Sequence, residues 1–200
     1  MADFQTAFRN TLDREGGLVW SNVKTDRGGE TFAGISRRIW GPQTAAIWAI
    51  IDGCKGYSDF PKCLSREALT AKLLPLVEQF FKTEFWDKPG ISRLTDQKIA
   101  QEVYDTSINC GASPAVRFLQ EGCWALGLGQ GVPPIVDGQL GPTTADFVNA
   151  LCRKVEWRNA LLVDLNIRQG SWYQSIIRRD PAQRANYRGW LNHRIREDFV

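Results

Sequence analysis

Residues 13–35 read DREGGLVWSNVKTDRGGETFAGI, and three of their side chains have the types and spacing for acid–base chemistry. Glu15 precedes Gly16-Gly17, Asp26 follows eleven residues later, and Thr31 lies five residues beyond that. A carboxyl at the C-terminal end of a helix feels the negative end of the helix dipole, and partial burial adds desolvation. Both raise its pKa, as suits a general acid working near neutral pH. The glycines beside Glu15 leave room for a bulky polymer to approach the backbone. If the intervening loop folds back, Asp26 and Thr31 face Glu15 across a groove. An acid, a second carboxylate and a hydroxyl able to hold a water are the minimal set for cleaving a glycosidic bond. The plainer alternative is that Glu15 is an ordinary helix-end residue and Asp26-Arg27-Gly28-Gly29 an ordinary turn.

The elements that must position these groups follow from local signals. Asp3 is a cap for a first helix carrying Phe4, Phe8 and Leu12 on one face, with Glu15 about three turns after Phe4, near the same face. Gly16 and Gly17 end that helix. Residues 18–31 have weak periodicity and many turn residues, which predicts a small hairpin or ordered loop. Helical patterns follow at 36–40 and, after Gly41-Pro42, at 44–51. Ser65 is placed to cap a helix that Pro75 kinks and that runs on towards Trp86. Pro89-Gly90 marks a boundary between a catalytic N-terminal lobe, 1–90, and a helical C-terminal lobe, 91–200. In the second lobe Thr95 or Asp96 caps one helix and Ser113-Pro114 opens another. A Gly/Pro-rich loop spans 127–134, VDGQLGP makes a tight turn into a helix at Pro142, and two or three more helices finish the chain. The class is mainly α.

Composition limits what such a chain can be. Of its 200 residues 43% are hydrophobic, which excludes disorder. The net charge of +3 is uneven: residues 151–200 hold ten Lys plus Arg against five Asp plus Glu. That basic segment fits an acidic partner, such as an anionic cell wall or lipid surface, or else a solvated helical face. The five cysteines show no C-x-x-C spacing, and the single histidine, His193, excludes a His-rich metal site, so no metal or cofactor is expected. Cys54 and Cys63 flank a short loop and can pair in an oxidising compartment; free thiols are the expected state. The N-terminus is neither a signal peptide nor a membrane span, so the chain is expected to be made in the cytoplasm and to need another route out. Trp124, Trp157 and Trp190 are expected in the core, with Trp20, just after Glu15, as a lining residue of any cleft.

Glu15-Gly16-Gly17 followed by Asp26-Arg27-Gly28-Gly29-Glu30-Thr31-Phe32-Ala33-Gly34-Ile35 resembles the E-G-G and D-x-G-G-x-T-x-x-G-I signature of glycoside hydrolase family 108, bacterial and phage lysozymes that cleave peptidoglycan. FFKTEFWDKP (80–89) and YDTSINCG (104–111) resemble further family segments. AVRFLQ (115–120) and VDGQLGPTT (136–144) resemble its peptidoglycan-binding portion, and YRGWLNHR (187–194) its terminal G-W-x-x-R. The resemblance implies a lysozyme-like α-helical fold with a small loop or β-hairpin beside an active-site cleft. It implies Glu15 as general acid, with Asp26 and Thr31 as catalytic partners. It implies cleavage of the β-1,4 bond between N-acetylmuramic acid and N-acetylglucosamine, in a phage endolysin acting in the periplasm after release. A non-catalytic wall-binding module and a lytic transglycosylase are the alternatives. Arg27 and Glu30 depart from the family pattern, and Glu30 stands beside Asp26 as a candidate second carboxylate. Trp20, Glu30, Asn109 and Asp137 are candidate substrate-binding residues. For Asn109 a helix-end cap, and for Asp137 a tight turn, are the structural alternatives. Peptidoglycan is the expected partner, nucleic acid is not, and a monomer is expected.

Overall fold

The computed structural model describes residues 1–14, 17–22, 29–127 and 132–195; the side chains of Asp13, Arg14, His193 and Arg194 lie outside the description as well. The fold is mainly α with a small antiparallel sheet. The chain divides into two compact units: residues 8–84, and residues 1–7 with 85–200. The crossing between them falls a few residues before Pro89-Gly90, and the N-terminal residues join the second unit.

Helix α1 (Phe4–Arg14) starts where Asp3 Oδ2 accepts the Thr6 N–H at 2.7 Å. Phe4, Ala7, Phe8 and Thr11 are its buried residues, an i, i+3, i+4, i+7 stripe. In unit 8–84 three strands follow: β1 (Trp20–Asn22), β2 (Glu30–Phe32) and β3 (Ile35–Ser36), paired antiparallel in that order. Ala33 and Gly34 connect β2 to β3 with φ of +49° and +77°, the left-handed pair that a two-residue hairpin turn requires. Phe32 and Ile35, paired across that turn, are fully buried. The short helix α2 (Arg37–Trp40) leads to α3 (Ala45–Cys54), a 3₁₀ turn (Lys62–Ser65) and α4 (Glu67–Lys82). Leu73, Val77, Phe80 and Phe81 of α4 and Ile47, Trp48 and Ile51 of α3 form the core here, each side chain worth about 1.5–3 kcal/mol when fully buried.

Two local expectations shift. Ser65 does not cap α4; its hydroxyl donates to the Lys62 carbonyl at 2.8 Å and closes the preceding 3₁₀ turn, so α4 begins later, at Glu67. Ser113 does not open its helix either, because the chain is already helical from Ala112. Pro114 then falls in the first turn, where no N–H is needed.

The other unit is built on α5 (Gln97–Cys110), α6 (Ala112–Leu126) and α8 (Val155–Arg179), which pack on one another, with α7 (Pro142–Leu151) and α9 (Arg184–Arg194) completing it. Asp96 caps α5 by accepting the Lys98 and Ile99 N–H groups. The N-terminus belongs here because Phe4, Trp86 and Tyr104 form a cluster of edge-on rings, with centroids 5.6 to 6.1 Å apart, and the Ala2 N–H donates to the Leu94 carbonyl. Trp124 corrects another expectation: it is 69% exposed. The packed face of α6 runs through Val116, Leu119 and Cys123, and the residue after Cys123 turns about 100° away from it.

The positive φ at Gly34 has a measurable cost when the residue gains a side chain. Gly34→Ala has open space for the new methyl group but a strained backbone. It should lower the unfolding free energy by about 1–2 kcal/mol, read from the denaturant midpoint.

Candidate active site

Glu15 and Asp26 lie outside the described residues, as do Gly16, Arg27 and Gly28. The frame on either side of them is described. α1 reaches Arg14, and the Gly17 N–H reaches back to the Leu12 carbonyl at 2.8 Å, satisfying one of the helix's terminal acceptors. The ladder Trp20↔Phe32, Ser21↔Thr31, Asn22↔Glu30 pins both strands that the Asp26-containing connection joins.

Alternation along β2 decides which groups share a face. Successive side chains point to opposite sides of a sheet, so Thr31 stands on one face and its neighbours Glu30 and Phe32 on the other. Thr31 is cross-strand partner to Ser21 and to Ser36, a row of three hydroxyl residues, and its own hydroxyl donates to the Gly29 carbonyl at 3.3 Å.

Glu30 is held from several sides. Trp20 Nε1 donates to Oε1 at 2.8 Å, Lys55 Nζ lies 2.9 Å from the same oxygen, and Arg37 donates to Oε2 at 3.0 Å. Arg37 and Lys55 also both engage Asp52, so two anions and two cations form one network at the C-terminal end of α3. Burial acts to raise the Glu30 pKa, since its side chain is only 14% exposed. The hydrogen bonds from Lys55, Trp20 and Arg37 outweigh burial, and the carboxyl titrates below its ordinary value. It is a fixed acceptor with no proton to give near neutral pH. The indole N–H of Trp20 is committed to this carboxylate, and its ring meets Phe60 edge-on at 4.8 Å.

Asn109 and Asp137 belong to the other unit. Asn109 Nδ2 donates to the Asp105 carbonyl one turn back, at 2.8 Å, tying down the end of α5. Asp137 Oδ1 accepts from the Gln139 N–H and from Gln120 Nε2, both at 2.8 Å. The hydrogen bond from Gln120 leads, with that from Gln139 second, in lowering its pKa. Gln120 is fully buried and also accepts the Asp137 and Gly138 N–H groups, while Arg117 donates to the Val136 and Asp137 carbonyls. Gly138 (φ +79°) passes so close to Ser113 that a Cβ there would sit 2.4 Å from its hydroxyl oxygen. AVRFLQ and VDGQLGPTT, sixteen residues apart, are thus one clamped object.

Sequence reasoning missed Gln120 as the clamp, and missed Arg37, Lys55 and Asp52 as the lock on Glu30. It also passed over Glu102 and Asp105, two buried carboxylates one turn apart on α5. Their signal was legible: charged residues set among the apolar Ile99, Val103 and Tyr104. A half-open pocket of about 180 Å³ lies at the other end of α3, floored by Ile47, Leu76 and Phe80. Among the described residues no group of His, Cys, Asp and Glu is placed to hold a metal ion, and no helix is long and apolar enough to cross a membrane.

Residues 8–111 match the glycosyl hydrolase 108 family, and residues 114–195 match the family described as "Predicted Peptidoglycan domain". A solved structure of Brucella abortus SagA is 20% identical over 98% of each chain, with a TM-score of 0.52, a likeness of fold. No curated protein matches.

The Glu30 network makes stability depend on pH in a defined direction. A carboxyl whose folded pKa is lowered contributes fully above its unfolded value, about 4.3 for Glu, and loses that contribution as pH falls through the folded value. Hydrogen bonds from Arg37 and then Lys55 lower the Asp52 pKa too, so both acids act in the same window. Wild-type Tm should fall steeply below about pH 4.3, and Glu30→Gln should start about 1–3 kcal/mol less stable at pH 7 and fall less. A parallel acid limb in the two proteins would contradict the lock.

Proposed function

The chain belongs to the glycosyl hydrolase 108 family and is a peptidoglycan hydrolase, and from that premise we propose that it is an N-acetylmuramidase cleaving the β-1,4 bond between N-acetylmuramic acid and N-acetylglucosamine. The observation that carries this reading is the family match over residues 8–111, which takes in Glu15 and Asp26; in support, α1 ends at Arg14, just before Glu15 in the sequence, and the β1–β2 pair flanks the connection that contains Asp26. At a helix C-terminus a carboxyl is biased towards its protonated form.

In the proposed reaction Glu15 protonates the glycosidic oxygen as the bond to the leaving sugar breaks. Asp26 stabilises the oxocarbenium-like transition state or orients water, and Thr31 holds that water through its hydroxyl. We assign the second carboxylate to Asp26 rather than Glu30 on two grounds. Both Glu30 oxygens are already bound, and Glu30 stands on the face of β2 opposite Thr31. Trp20 and Glu30 then brace the strand pair from the face opposite Thr31, and Asn109 and Asp137 hold the backbone of the other unit.

Supporting an endolysin role, the basic residues concentrated in 151–200 suit an anionic wall or outer-membrane surface, reached in the periplasm after release from the cytoplasm. Wall binding by charge attraction weakens as salt rises; pelleting with purified peptidoglycan that is indifferent to salt would remove that part of the proposal.

Glu15→Gln should keep the wild-type Tm and lose about 10²- to 10⁴-fold in the rate of turbidity loss on purified peptidoglycan. Mass spectrometry of the wild-type digest should show hydrolysed reducing muramic acid ends. Anhydro ends would identify a lytic transglycosylase, and no products a binding module.

A further inference from the structure

Two buried thiols bracket the segment that supports the Glu30 network. Cys54 is the last residue of α3 and Cys63 lies in the 3₁₀ turn; they are 3% and 0% exposed, and helix and turn pack together. Burial first, then the neighbouring Cys63, raises the pKa of Cys54. The backbone has already closed the loop between them. Tyr57 N–H donates to the Cys54 carbonyl, Phe60 N–H to the Tyr57 carbonyl and Cys63 N–H to the Asp59 carbonyl, at 3.0 to 3.3 Å. Inside that loop sit Lys55, which holds Glu30, and Phe60, which packs on Trp20.

We propose that Cys54 and Cys63 become a disulfide once the chain is in an oxidising compartment and this segment opens, and that the bond staples the loop supporting β1 and β2. The compartment rests on the proposed site of action at the cell wall; the pairing itself rests on the packing of helix and turn around the two cysteines and on the backbone bonds that close the loop. The oxidant is a low-molecular-weight disulfide or a disulfide-exchange protein. One cysteine thiolate attacks its S–S bond and expels a thiolate, giving a mixed disulfide. The second cysteine then attacks the protein sulfur of that mixed disulfide and expels the other thiolate. The protein loses two protons and two electrons, and the oxidant becomes two thiols. Burial shields both sulfurs in the folded chain and raises the pKa of Cys54, so exchange is fast while this segment is open and slow while it is closed. Free buried thiols in a reducing cytoplasm and a cross-link outside it follow from the same arrangement.

The test uses the full chain, unfolded and then refolded in a mixture of oxidised and reduced glutathione, acid-quenched, alkylated and mapped by peptide mass spectrometry. The expected product is a peptide pair joined through Cys54 and Cys63 and lighter by two hydrogen atoms. The oxidised chain should melt about 5–10 °C above the same chain refolded in dithiothreitol. Cys54→Ala should show no difference between the two buffers; if that variant does not fold, the comparison of oxidised and reduced wild type carries the test alone. Full alkylation of both residues after oxidative refolding, or a cross-link with no change in Tm, would overturn the proposal. Lysis of purified peptidoglycan by the same samples reports separately on the muramidase reading. A cross-linked, thermally shifted but inactive chain would support the disulfide and count against the muramidase.

Discussion

A carboxylate that is mostly withdrawn from water must be matched by donors, and in residues 8–84 that carboxylate is Glu30. Trp20 reaches it from β1, Arg37 from α2 and Lys55 from just past the end of α3, so one charge ties together elements that are far apart in sequence. The consequence for chemistry is indirect but firm. With Glu30 fixed to its side of β2, Thr31 is committed to the other, and the ends of the Asp26 connection are set by the Asn22↔Glu30 pair. A sheet of such short strands is marginal alone; these side-chain bonds and the buried Phe32–Ile35 pair hold its register.

The other unit solves a similar problem with a neutral group. Gln120 is wholly buried and meets the turn at 136–139 with both ends of its amide, accepting two backbone N–H groups and donating to Asp137. A buried amide satisfied in this way fixes one arrangement, because any other would leave polar groups without partners. The turn in the region matched to a peptidoglycan domain is therefore presented as a rigid shape, and Asp137 serves that shape first.

Local signals in the sequence were legible where the physics is local. Asp3 and Asp96 announce helix starts because a short carboxylate beside an apolar stripe has one obvious use, and both cap as expected. The Phe4–Phe8 start of the α1 stripe and the hairpin after it were also legible, although the buried residue in the next turn is Thr11 and Leu12 is only half-buried. Ser65 misled because two adjacent turns compete for one hydroxyl, and only the packed chain decides between them. Trp124 misled because composition cannot tell Cys123 from its neighbour; one residue of helix rotation separates core from solvent. The Glu30 lock and the Gln120 clamp join residues with no sequence pattern in common, so nothing in the order of residues announces them. Glu30 illustrates the difference most sharply: by sequence it is a third acid beside Asp26, and in the fold it is a structural anchor.

The division of labour among the three acids is the central claim, and the lysis rates of Asp26→Asn and Glu30→Gln, measured side by side on purified peptidoglycan well below both melting temperatures, test it most directly. Near-wild-type lysis by Glu30→Gln together with a loss of about 10²-fold or more in Asp26→Asn is the expected result. Retained lysis in Asp26→Asn with lysis abolished in a folded Glu30→Gln would contradict it.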